Sequence, residues 1–272
     1  MSGYARDDML VDGEWLQAHL SDTGIRIVDC DQFEPWSRAH IPGAAHVVDH
    51  YYKDPDNRVF VQGPEAFAAT MGRLGIGDDT MVIAYDTSGI RYSGRLWWCL
   101  NYYGHSNVRM LDGGWPKWFN EGRPISIDRT PPPHANFTPR PNAYLMADVD
   151  DVKTAIGKAG TVIVDARSDG EWAGTESRGN RRAGRIPSSV HVEWLDNVTG
   201  DEEQLIKDAE VLRQMYERAG VTPDKEVITV CQAGIRAAQS ATVLKLLGYE
   251  KVRVYDGSFA EWGNRDDTPL EK

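Results

Sequence analysis

The chain has 272 residues, 41% of them hydrophobic, with 30 basic against 41 acidic side chains and a formal net charge of −11. That length suits two domains of ordinary size, each able to bury a core. The acidic balance argues against nucleic acid or an anionic membrane surface as partner, and no run of roughly eighteen apolar residues is present to cross a bilayer.

Residues 1–8 place no basic stretch ahead of an apolar run, so no signal peptide is expected and a cytoplasmic setting is. In chain order the pattern predicts a helix over 12–20, a β-branched strand over 25–30 and a helix over 64–74. A strand over 80–85, a helix over 92–103 and a strand over 108–111 follow. Residues 129–141 contain five prolines and no periodicity, which reads as a stiff, extended linker. The expected division is a first domain at 1–125, a linker at 126–143 and a second domain at 144–272. The second half then predicts a helix over 148–159, strands over 161–165, 226–230 and 251–255, and helices over 208–219 and 237–247. Such alternation implies α/β domains with mainly parallel sheets, helices on both faces and working loops at the carboxyl ends of strands.

Cys30, Cys99 and Cys231 stand far apart with no CxxC pair. Neither a disulfide scaffold nor a zinc site is expected, and Cys30 and Cys99 read as core residues. No glycine-rich phosphate loop or His/Cys ligand spacing occurs, so no cofactor and no metal is expected.

The two halves repeat each other. Val82, Ile83, Ala84, Tyr85 and Asp86 answer Val227, Ile228, Thr229, Val230 and Cys231, and Gly89, Ile90 and Arg91 match Gly234, Ile235 and Arg236. Ile27, Val28 and Asp29 answer Ile163, Val164 and Asp165. His40, Ile41 and Pro42 answer Arg185, Ile186 and Pro187. Asp112, Gly113 and Trp118 answer Asp256, Gly257 and Trp262. Four matched segments in the same order mean duplication of a whole domain. Asp86 stands where Cys231 stands, so the chemistry is expected in the second half alone.

Cys231 follows a predicted strand and precedes a predicted helix. That junction places a thiolate over several free backbone N–H groups and the positive end of a helix dipole, which favours an anion. Arg236 adds a full charge nearby. Gly234 supplies the backbone freedom so tight a loop needs. The backbone from Gln232 through Ala233, Gly234, Ile235, Arg236 and Ala237 is therefore the candidate cradle for a charged sulfur. Asp165 and Arg167 end another strand and are candidates for the same crevice or for a salt bridge behind it. Arg185 is a candidate turn anchor or substrate contact, and Arg178, Arg181 and Arg182 complete a basic cluster around it. Trp172, Trp194 and Trp262 read as core residues before crevice residues.

Taken together, the six-residue loop opened by Cys231, the Asp165-x-Arg167 strand end, the Ile-Pro turns and the Asp-Gly-(Gly/Ser)-x-x-x-Trp turns resemble the two-domain rhodanese-type sulfurtransferases over nearly the whole chain. The resemblance implies a Cys231 persulfide, an inactive first domain, and a small sulfur donor and thiophilic acceptor as partners, with a protein thiol as a further candidate acceptor. Two departures bear on the donor. Ala233 stands where vertebrate-type thiosulfate enzymes carry lysine and mercaptopyruvate enzymes serine, and Glu171 stands where both groups carry arginine. The arginine five places after the cysteine is similar to bacterial thiosulfate-type members, so thiosulfate is the expected donor and 3-mercaptopyruvate the alternative. A non-catalytic persulfide carrier is the rival from another class. A cysteine phosphatase needs five residues between Cys and Arg, and this loop has four, Gln232 to Ile235.

Overall fold

The computed structural model describes residues 3–49 and 51–272. It contains two compact units. The N-terminal unit is Asp8–Asn142 with Thr199–Ile206; the C-terminal unit is Ala143–Val198 and Lys207–Lys272, together with the segment ending at Asp7.

In the N-terminal unit, β1 (Leu10–Val11), β2 (Ile25–Asp29), β3 (Ala45–His46), β4 (Met81–Tyr85) and β5 (Val108–Leu111) form one sheet ordered β1-β5-β4-β2-β3. Its helices are α1 (Gly13–Ala18), α2 (Phe33–Arg38), α3 (Pro64–Arg73), α4 (Arg91–Tyr102) and α5 (Gly114–Asn120). In the C-terminal unit, β6 (Met146–Ala147), β7 (Thr161–Asp165), β8 (Val190–His191), β9 (Glu226–Val230) and β10 (Val252–Tyr255) are ordered β6-β10-β9-β7-β8. Its helices are α6 (Val149–Ala155), α7 (Asp169–Trp172), α8 (Ala209–Arg218), α9 (Ile235–Leu246) and α10 (Ser258–Trp262). Every strand pair in both sheets is parallel and the two orders are the same permutation. The expected pair of parallel α/β domains is therefore present.

The central strands are β-branched runs that bury on both faces, as parallel sheets covered by helices require. Ile163 and Val164 of β7, and Val227, Ile228 and Val230 of β9, are all at most 1% exposed. The repeat carries down to single side chains. Trp118 donates Nε1–H to the Pro124 carbonyl at 2.8 Å, and its counterpart Trp262 donates to the Pro269 carbonyl at 2.9 Å. Those indoles close matching cores, one around Leu16, Ile41 and Tyr85 and the other around Val152, Ile186 and Phe259.

The proline-rich stretch is strapped to the N-terminal unit. Ala135 donates its amide to the Gly72 carbonyl at 3.1 Å, Arg140 to Tyr103 at 2.9 Å and Asn142 to Tyr102 at 2.7 Å. Phe137 buries against Phe67, ring centroids 5.6 Å apart. Gly72 is required here, since a Cβ would lie 2.7 Å from the Ala135 carbonyl oxygen. Proline has no amide N–H to donate, and this segment instead docks through the amides of the residues between and just after its prolines. No helix among the described residues is long and apolar enough to cross a membrane.

Candidate active site

Cys231 lies at the carboxyl end of β9, which is hydrogen-bonded to β7 on one side and β10 on the other. Gly234, at φ +83°, turns the chain directly into α9. The helix starts at Ile235, two residues before the expected 237, so Arg236 lies in its first turn. The left-handed glycine makes the turn short enough for this. The Gly234 amide donates to the Cys231 sulfur at 3.1 Å. The sulfur thus faces the end of α9 whose amides have no intrahelical acceptor. Cys231, Ile235 and Ala237 are buried, while Gln232 and Ala233 are partly open.

The turn between β10 and α10 supports this loop from beneath. Phe259 donates its amide to the Cys231 carbonyl at 3.0 Å and Ala260 to the Gln232 carbonyl at 2.8 Å. The Cys231 amide in turn donates to the Ser258 hydroxyl at 3.1 Å, and that hydroxyl donates to the Tyr255 carbonyl at 2.7 Å. Ser258 sits at φ +49° with its oxygen 4.0 Å from the Cys231 sulfur. The Gln232 side chain is held by a reciprocal amide pair with Asn180, at 2.9 and 3.0 Å, and Asn264 donates to the same Asn180 oxygen at 3.2 Å.

Arg236 is not a bare cation. Its Nη1 and Nη2 donate to Glu171 Oε2 and Oε1 at 2.7 and 2.9 Å. Glu171 is also the third residue of a capping box at the start of α7, accepting from the Ser168 amide and hydroxyl. Burial disfavours its charge, but the hydrogen bonds and charge of Arg236 and the Ser168 bonds outweigh that and hold the carboxyl at about 2. Burial likewise works against the Arg236 charge, and Glu171 together with Cys231 raises its pKa above the usual arginine value.

Asp165 and Arg167 do not face the crevice. Both are at most 2% exposed and form a bidentate ion pair, Nε to Oδ1 at 2.9 Å and Nη2 to Oδ2 at 2.7 Å. Arg167 also donates to the Gly184 carbonyl at 2.9 Å and lies 3.3 Å from the Phe259 ring centroid. The pair braces the strand end against the turn beneath Cys231. The Arg185 backbone anchors its turn by pairing with Glu271 at 2.8 and 3.0 Å, while its guanidinium, partly exposed, lies 5.1 Å from the Trp172 ring. Its counterpart His40 pairs with Ser126 in the same way. Arg181 and Arg182 bind Asn264, Asp266 and Thr268, so most of the basic cluster clasps the end of the chain. Arg178 and Arg181 are both exposed, but Arg181 is paired with Asp266, whereas Arg178 stands beside the site with its Nε 4.0 Å from Glu171. Trp194 and Trp262 are buried, whereas Trp172 is half-buried and stacked on His191.

Sequence reasoning missed Ser258, Asn180 and the pairing of Glu171 with Arg236. Only the last had a local signal, the Ser168-x-x-Glu171 spacing of a capping box. In the N-terminal unit the equivalent loop is already filled. The Asp86 carboxylate accepts from the Ser88, Tyr92 and Ser93 amides at 2.7–2.8 Å and from the Ser93 hydroxyl at 2.9 Å. An internal carboxylate thus caps α4 where a charged sulfur would lie above α9.

Comparison with known proteins agrees with this geometry. The rhodanese-like domain model matches twice, at residues 12–121 and 148–265. The sulfur carrier protein TtuD of Thermus thermophilus is 36% identical over 99% of both chains. The thiosulfate sulfurtransferase of Corynebacterium glutamicum is 33% identical over 98% of this chain and 92% of its own. Among solved structures, an anaerobic ergothioneine biosynthesis enzyme from Chlorobium limicola superposes with a TM-score of 0.92 at 23% identity, covering 100% of this chain and 72% of that one. At that identity the likeness shows the fold alone. Two matched copies, two sheets of one topology and relatives named for sulfur transfer lead to one conclusion: the chain belongs to the rhodanese-like family and contains two tandem copies of its domain.

Proposed function

We propose that the chain is a sulfurtransferase that moves sulfane sulfur from thiosulfate to a thiophilic acceptor, cyanide or a thiol, through a persulfide on Cys231. The observation that carries this reading is the Gly234 amide directed at the Cys231 sulfur from the start of a buried helix. In the first step the thiolate attacks the outer sulfur of thiosulfate; the S–S bond breaks and sulfite leaves with the electron pair. In the second step the acceptor attacks the outer sulfur of the persulfide and the Cys231 thiolate leaves. No oxidant or reductant is needed. The amides at the head of α9 stabilise the negative sulfur throughout, and no general base is required. The substrate-contacting residues of this reading are the loop residues 232–237, chiefly through their backbone, with Asp165 and Arg167 as the buried brace. The N-terminal unit carries no sulfur, because a carboxylate cannot exchange sulfur.

A carrier that hands its persulfide to a protein thiol is the second reading. It is favoured by the likeness to the Thermus relative, which is named a sulfur carrier protein. The test is the intact mass after incubation with thiosulfate or with 3-mercaptopyruvate, followed by cyanide. A gain of one sulfur from thiosulfate, then repeated thiocyanate release, supports the transferase. A gain from 3-mercaptopyruvate alone names the other donor, and loading without turnover supports the carrier. No gain with either donor overturns the sulfur-transfer reading.

A further inference from the structure

The rim of the Cys231 loop pairs a fixed cation with a fixed anion. Glu171 is 1% exposed and both its oxygens engage the terminal nitrogens of Arg236, while Ser168 holds Oε2 from the other side at 3.0 and 3.2 Å. A guanidinium recognises an oxyanion through just this two-pronged face, and a fork already filled offers little to a second anion. The charge of Arg236 is also answered at contact distance, so an approaching donor meets a dipole in place of a full positive charge. On the solvent side of Glu171 stands Arg178, with 57% of its side chain exposed and its Nε 4.0 Å from the carboxylate.

We propose that Glu171 sets the donor selectivity of the Cys231 site by occupying the face of Arg236 that an anionic donor would engage, leaving Arg178 as the cation such a donor meets. The inference rests on the sulfur-transfer reading and deepens it. Its consequence is a site that accepts thiosulfate with modest charge preference and admits sulfane donors of lower charge. Any change that releases Arg236 favours the dianion over them. Glu171 is thus a positioning residue that acts through Arg236 and has no need to touch the donor.

Two readouts on wild type, Glu171→Gln and Arg178→Glu test this. The first is the ratio of Cys231 alkylation rates with anionic iodoacetate and neutral iodoacetamide, read by peptide mass. The second is kcat/KM for thiosulfate against that for 3-mercaptopyruvate. Glutamine keeps the shape of Glu171 and removes its charge, so Glu171→Gln raises the alkylation ratio and the thiosulfate value by about tenfold, roughly 1.4 kcal/mol. The monoanionic 3-mercaptopyruvate gains less. Arg178→Glu lowers the alkylation ratio by a similar factor. Alkylation requires only the thiolate, which keeps the two ideas separable. The expected ratios in a protein that transfers no sulfur retain the role of Glu171 and sink the sulfur-transfer reading. Sulfur transfer with an alkylation ratio unmoved or lowered in Glu171→Gln overturns the role of Glu171 alone. Should Glu171→Gln not fold, Arg178→Glu decides, because that side chain is mostly in solvent; an unmoved ratio there overturns the proposal.

Discussion

The two units should respond to pH in opposite ways, because one ion pair of the C-terminal unit is an acid pair in the N-terminal one. Asp31 occupies the position of Arg167, so the strand end that reads Asp165 and Arg167 in one unit reads Asp29 and Asp31 in the other. Asp29, Asp31 and Asp86 are all at most 4% exposed. Burial pushes Asp29 up to about 6 against the opposing hydrogen bonds from Tyr85, at 2.6 Å, and from the Asp31 amide. Burial raises Asp31 further, reinforced by the charges of Asp86 and Asp29. A buried acid with a raised pKa stabilises the fold in its protonated form. The contribution is complete below the unfolded value of 3.8 and is lost as pH rises through about 6 for Asp29 and beyond it for Asp31. For Asp29 alone the rise is just over two pH units, which at 1.36 kcal/mol per unit is about 3 kcal/mol lost between roughly pH 4 and 7. Glu171, held at about 2 against an ordinary 4.5, has the opposite sign. Its contribution is complete above 4.5 and is lost only as pH falls through about 2. The three buried thiols are natural reporters of which unit has opened: Cys30 and Cys99 for the N-terminal unit, Cys231 for the C-terminal one. In urea titrations with exhaustive thiol labelling at each denaturant concentration, the Cys30 and Cys99 midpoints should fall by about 1–2 M from pH 5 to 7. The Cys231 midpoint should move less, and Asp31→Asn should flatten the pH dependence of the other two. Midpoints for Cys30 and Cys99 that stay level or rise over this range would refute the reasoning.

Three further outcomes are expected. Cys231→Ser abolishes sulfur transfer with the fold intact by circular dichroism, whereas Cys30→Ser and Cys99→Ser retain turnover; activity surviving in the first variant removes the nucleophile. Arg236→Ala leaves the Glu171 charge buried and unpaired, so thermal melts should show a loss of about 3–5 kcal/mol, largely recovered in the Arg236→Ala/Glu171→Gln double variant. Thiosulfate kcat/KM should fall about ten- to a hundredfold in the single variant, which uncovers the Glu171 charge beside the loop, and return toward wild type in the double variant; a single variant that melts like wild type shows the pair to be idle. Gly114→Ala should disrupt the N-terminal unit, since a Cβ there would lie 2.0 Å from the Asp86 carbonyl oxygen at φ +50°; its melting midpoint should fall while persulfide loading at Cys231 persists.

The duplication, the parallel α/β class and the sites of the central strands were legible in the chain itself. β7 and β9 fall where the β-branched runs at 161–165 and 226–230 placed them, because short-period burial patterns and turn residues are local signals. The strand–Cys231–glycine–helix order is local too, as is the exchange of Cys231 for Asp86 in the repeat. What the chain could not disclose were meetings between distant residues. Arg236 and Glu171 lie 65 positions apart, and Gln232 and Asn180 lie 52 apart. The arginines at 181 and 182 look like a basic patch until the segment from 264 to 268 folds back and consumes them. Burial is equally a tertiary quantity: Asp31 is merely an aspartate in the sequence, and it becomes a raised acid only when the fold removes its water and sets Asp86 and Asp29 beside it. Local pattern determined where the sulfur-bearing loop is. Packing alone decided which charges surround it, because a charge acts through distance and solvent exclusion and neither is written along the chain.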